Sequence, residues 1–65
     1  MAAPETHLEM SVRHVAEQEN RIVRQGVLIE HLQKVGVPIE DALELLCDMQ
    51  IFLEDMRAHV RRISN

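Results

Sequence analysis

The sequence predicts an all-α fold: an antiparallel two-helix hairpin of the helix-turn-helix coiled-coil type, dimerising into a four-helix bundle. Three observations predict it. Two long segments, about 6–35 and about 38–63, carry apolar residues at spacings of three and four, the rhythm of a packed helical seam. One turn signal, Gly36-Val37-Pro38, separates them. The chain has 65 residues and one cysteine, so no internal disulfide can reinforce a core too small to do much alone. A hydrophobic share of 46% with two Gly and two Pro argues against disorder.

The first residues read as a short tail. Thr6-His7-Leu8-Glu9 fits a capping box, in which the Thr6 hydroxyl accepts a free backbone N–H and Glu9 reaches back. Leu8, Val12, Val15, Ile22 and Ile29 then mark one stripe, with Glu19 and Gly26 filling the missing seam positions. No Pro interrupts the run before Pro38, so helix 1 is expected over about Thr6 to Val35.

Gly36 can take the left-handed conformation that closes a helix, and Lys34 suits the negative end of the dipole. Pro38 cannot continue helix 1 but fits the first turn of a second helix, whose positive end then receives Glu40 and Asp41. Helix 2, expected over about 38–63, carries the clearest pattern. Ala42, Leu46, Met49, Leu53, Met56, Val60 and Ile63 alternate spacings of four and three without a miss. Six acids (Glu40, Asp41, Glu44, Asp48, Glu54, Asp55) precede its first base, and Arg57, Arg61 and Arg62 follow.

Folded about Gly36, the two stripes agree in register. Leu8 falls near Ile63, Val12 near Val60, Val15 near Met56, Ile22 near Met49 and Ile29 near Ala42, with Gly26 set against Leu46. Apolar residues remain outside this seam. Leu45 and Phe52 form a second column on helix 2 with Leu43 on the other side, and helix 1 adds Ala16, Val23 and Val27. That surplus is wider than the stripe of about 100° that one partner requires, and these six residues are the expected dimer interface.

The pattern resembles a group of short bacterial helical-hairpin proteins of about this length and no assigned function. The likeness rests on His14-Val15-Ala16-Glu17, Arg21-Ile22, Arg24-Gln25, the Gly36 turn, Leu45-Leu46, and Arg57-Ala58-His59 with Arg61 and Arg62. It implies a helical hairpin and no catalytic residue. Where relatives often carry an Asp/Thr-type cap after the turn glycine, this chain has Val37-Pro38-Ile39.

Chemistry is sparse. The hairpin brings His14 and His59 together at its open end, with Glu17 one turn from the first and Asp55 one turn before the second. Two imidazoles and two carboxylates are a conceivable first shell for a zinc-type ion. The order is not the Glu-x-x-His of di-iron bundles, and the simpler reading is surface histidines among charges; no metal and no other cofactor is expected. Glu19 at a seam position could pair with Arg57 or Arg21, or swing to the helix edge and stay wet, which long side chains do easily. Cys47, beside Asp48, reads as inert and half-buried. His7 and His31 belong to no constellation. Met49 and Met56 read as core.

No phosphate loop, nucleophile–base pair or catalytic carboxylate pair can be assembled, so an enzyme is not expected. The leading reading is a self-associating protein–protein interaction module, partnered by itself and conceivably by another protein. The alternative is an RNA-binding hairpin dimer, by fold-level analogy with the small plasmid-copy-control repressor. Arg13, Arg57, Arg61 and Arg62 gather at the open end in its favour; a net charge of -4 and one aromatic, Phe52, stand against any nucleic acid. A membrane binder wants Lys/Arg where helix 2 has acids. Met1-Ala2-Ala3-Pro4-Glu5 lacks the basic and apolar regions of a signal peptide, and the expected location is the cytoplasm.

Overall fold

A computed structural model describes residues 4–64; Met1, Ala2 and Ala3, read above as tail, and Asn65 lie outside it. Two helices account for almost all of it, α1 over His7–Val35 and α2 over Glu40–Ser64, packed as a hairpin. Thr6 is the N-cap of α1: its hydroxyl accepts a hydrogen bond from the Glu9 N–H at 3.1 Å. This is half of the expected box, because the return bond from the Glu9 side chain is not formed. At the other end Gly36 adopts φ 78°, its N–H reaching the Gln33 carbonyl at 3.2 Å while the Val37 N–H reaches Leu32 at 3.1 Å. That double closure satisfies carbonyls the helix would otherwise leave free, and only glycine takes the conformation without steric cost.

The second helix begins two residues later than the sequence suggests. Val37 and Pro38 are used in crossing from one helix to the other. The first backbone bond into the new helix runs from the Leu43 N–H to the Ile39 carbonyl at 2.8 Å. Ile39 is half-buried and opens the α2 stripe. Glu40 and Asp41 occupy the first turn and Arg61 and Arg62 the last, each matching the sign of the dipole there.

On α2 the seam is the expected one: Ala42, Leu46, Met49, Leu53, Met56, Val60 and Ile63 are all buried or half-buried. On α1 it is not. The protected positions are Ser11, Val15, Gln18, Ile22, Gln25, Ile29 and Leu32, an unbroken alternation of four and three. Val12, assigned to the seam from its apolarity, is 51% exposed, and Glu19 is exposed as well. Gly26 is half-buried, but a methyl group placed on it would meet nothing within 4 Å, so it does not face Leu46.

The residues that displace them are polar, and the reason they fit is visible. Gln18, the most buried polar residue at 4% exposure, donates its side-chain N–H to the Met49 carbonyl at 3.0 Å. Gln25 does the same to the Ala42 carbonyl at 3.0 Å. A helical carbonyl points along the axis toward the residue four positions on. Gln18 therefore sits level with Leu53, and Gln25 with Leu46. A glutamine lays its methylenes along the apolar seam and spends its amide on a main-chain acceptor, so no buried side-chain polar atom lacks a partner among the described residues. The expected pairs Val15–Met56, Ile22–Met49 and Ile29–Ala42 fit this same register.

The result is elongated and thin. The Cα atoms span 49 × 28 × 12 Å, with a radius of gyration of 15.5 Å. A globular chain of this length would have a radius of gyration of about 11 Å. Among the described residues two apolar ones, Ile29 and Leu53, are buried outright. No helix among the described residues is long and apolar enough to cross a membrane.

Candidate functional site

One layer of two helices has two broad faces, and helical phase assigns each residue beside the seam to one of them. The first, here the Phe52 face, carries Leu28 and Val35 from α1 and Leu45 and Phe52 from α2. His7, His14 and His59 lie on it toward the open end. A hollow of about 240 Å³ there is lined by Ser11, His14, Phe52, Asp55, Met56 and His59. The second, here the Arg57 face, carries Val12, Ala16, Val23 and Gly26 from α1 and Leu43, Cys47 and Arg57 from α2. Its hollow, about 250 Å³ and lined by Val12, Val15, Arg57, Val60 and Arg61, is as open as the first.

The six residues expected at an interface are all exposed. They do not form one patch. Leu45 and Phe52 lie on the Phe52 face, Leu43, Ala16 and Val23 on the Arg57 face, and Val27 on the outer edge of α1. Leu28 and Val35, which the hairpin seam leaves without a role, join Leu45 and Phe52. Phase about the true α1 seam separates these sets; phase about the Val12–Glu19–Gly26 line blurs them.

Charges are distributed unequally between the faces. On the Arg57 face, Arg57 bridges the two helices, 3.5 Å from Glu19 and 3.4 Å from Glu54. Glu19 is thus edge-lying and wet, with one of its two expected partners. At the open end Arg13 is held by Glu5 at 3.0 Å and by Glu17 at 3.9 Å. Two of the arginines that gather at that end are therefore already neutralised within the chain.

The metal candidates separate in the same way. His14, Asp55 and His59 border one hollow, whereas Glu17 turns to Arg13. Among the described residues no three His, Cys, Asp or Glu side chains come close enough to share an ion. His59 is instead engaged by His7, outside the expected constellation: its Nε2 lies 3.0 Å from the Nε2 of His7, with the rings edge to face at 5.2 Å. One ring nitrogen donates and the other accepts, so the contact ties the first turn of α1 to the last turns of α2. His7 and His14 are seven residues apart on one column, and that spacing is the available signal. Cys47 is exposed rather than half-buried, because its column lies well off the seam on the Arg57 face.

Comparison with protein-family models, characterised proteins and solved structures found no match. The resemblance to short bacterial hairpin proteins rests on the sequence motifs alone, and the functional reading rests on surface chemistry.

Proposed function

We propose that this chain is a non-catalytic helical hairpin that works by self-association, a second copy supplying the layer that a four-helix bundle needs. One observation carries the reading. Among the described residues Ile29 and Leu53 are the buried apolar ones, while twelve large ones are at least a third exposed, Phe52 at 57% and Leu45 at 51% among them. Stable domains are built from at least two layers around a core, and this hairpin is one layer. Burying a Leu or Phe side chain is worth about 1.5–3 kcal/mol, so covering a few of these residues would rival the roughly 3–5 kcal/mol expected of so small a core. Two-fold pairing is the economical route, since one self-complementary surface suffices.

The interaction role is that of a rigid helical surface offered to itself and, through the face left over, to another protein. A cytoplasmic setting suits the exposed, unpaired thiol of Cys47, which oxidising compartments would drive into a disulfide. The internal ion pairs of Arg13 and Arg57 favour this reading over an RNA surface. Thermal melting followed by circular dichroism at about 5 and about 500 μM tests it. A midpoint that rises with concentration is expected, because association stabilises the folded state by mass action. A midpoint independent of concentration would contradict self-association.

A further inference from the structure

We propose that the second copy seats on the Phe52 face, about a two-fold axis parallel to the helices, so that α1 of each hairpin packs on α2 of the other. The inference rests on the self-association argued above and adds the face and the orientation. Apolar size favours this face. The Phe52 face carries Leu28, Leu45 and Phe52, each at least 46% exposed. The large apolar residues of the Arg57 face are two valines and Leu43, alongside small residues and an ion pair that already spans the helices.

Charge decides the orientation. On the Phe52 face the rim of α2 is acidic through Asp41, Asp48 and Asp55, and the middle of the α1 rim is basic through Arg21 and Arg24. Asp41, Asp48, Asp55 and Arg21 have no ion-pair partner among the bridges formed by the described residues. Arg24 makes only a long 3.5 Å hydrogen bond to the Asn20 carbonyl. A two-fold axis between stacked faces has two choices. Perpendicular to the helices, it lays α2 on α2 and α1 on α1, setting aspartate column against aspartate column and arginines near arginines. Parallel to them, it lays α1 on α2 of the second copy at the same level along the hairpin.

The glutamine register then fixes what meets. Gln25 level with Leu46 brings Arg24 beside Asp48 of the second copy, and Arg21 between its Asp48 and Phe52. Leu28 falls on Leu45 and His31 on Asp41. Each contact occurs twice by symmetry. The unfavourable match, Glu17 near Asp55, is blunted because Glu17 is held by Arg13. Complementary rims set orientation and suppress the alternative stack, while the apolar centre supplies most of the attraction.

Charge reversal tests this on the intact chain, with the dimer dissociation constant read by sedimentation. Arg24 and Asp48 are exposed, so reversing either leaves the hairpin itself unharmed. Arg24→Asp and Asp48→Arg should each weaken the dimer about ten-fold, and the double variant should recover to within about three-fold of wild type. Phe52→Glu should give monomer, while Leu43→Glu on the opposite face should leave the constant within about three-fold. A dimer that survives Phe52→Glu but is lost in Leu43→Glu would overturn the face and leave self-association standing. Arg24→Asp tightening the dimer would overturn the orientation, as α1-on-α1 stacking requires. A monomeric wild type would remove the self-association beneath both.

Discussion

The two helices build opposite halves of one seam from different chemistry. Along α2 every inward position from Ile39 to Ile63 is apolar, and the stripe reads directly from the sequence. Along α1, from Ser11 to Ile29, inward positions alternate between polar residues (Ser11, Gln18, Gln25) and apolar ones (Val15, Ile22, Ile29), and Leu32 then closes the stripe. The lesson is that a helical seam is defined by who faces the partner, and a polar residue can face it when the partner offers a backbone acceptor. Gln18 and Gln25 are seven residues apart and meet Met49 and Ala42, also seven apart, so the same bond is made twice, two turns along. Such repetition fixes register more tightly than interchangeable apolar contacts, as single polar residues do in coiled-coil cores.

The sharpest way to break this comparison is to exchange the chemistry of two neighbouring residues. Gln18→Glu removes the amide donor and places a carboxylate against the Met49 carbonyl in a site that is 4% exposed. A loss of about 2–4 kcal/mol in urea-unfolding stability is expected, from the broken bond and the desolvated charge together. The control is one position away. Glu19→Gln touches an exposed residue whose bridge to Arg57 is wet, and should change stability by no more than about 1 kcal/mol. Equal effects at the two positions would mean that the seam had been placed wrongly.

A smaller effect sharpens the same point from the position once set against Leu46. If Gly26 faced Leu46, any added side chain would strain the hairpin. The structure leaves open space around it. Gly26→Ala should therefore raise stability by about 0.5–1 kcal/mol through helix propensity alone, measured as a higher unfolding midpoint at fixed protein concentration. A destabilisation would return Gly26 to the seam.

These residues show what was legible. The hairpin, its Thr6 cap, its Gly36 closure and the α2 stripe are local or strongly periodic features, and each has a recognisable residue at a fixed offset. On α1 hydropathy points one residue off the true stripe at alternate positions, because Val12 is apolar and Gln18 is not. Hydropathy is blind to an amide whose partner lies on another helix. Pro38 is compatible with a first helical turn and so suggests an earlier start for α2, but the crossing itself consumes Val37 and Pro38. The His7–His59 contact is not legible in the sequence because it joins residues 52 positions apart at the ends of the two helices, and His7 has no charged or ligating neighbour that marks it for pairing. The surplus of apolar surface was legible as a quantity. Which residues share a face was not, since that assignment depends on the phase of the α1 seam, and an error of one residue rotates it by about 100°.

A single layer with two buried apolar residues among those described calls for a second layer, and the mass of the particle in solution tests this most directly. Sedimentation velocity of the wild-type chain, followed by interference because it has no Trp or Tyr, should show a species of twice the 7.5 kDa chain mass at high micromolar concentration, dissociating on dilution with loss of helicity. A well-folded monomer throughout that range would contradict the account, leaving Phe52, Leu45 and Leu28 exposed with no physical reason for their presence.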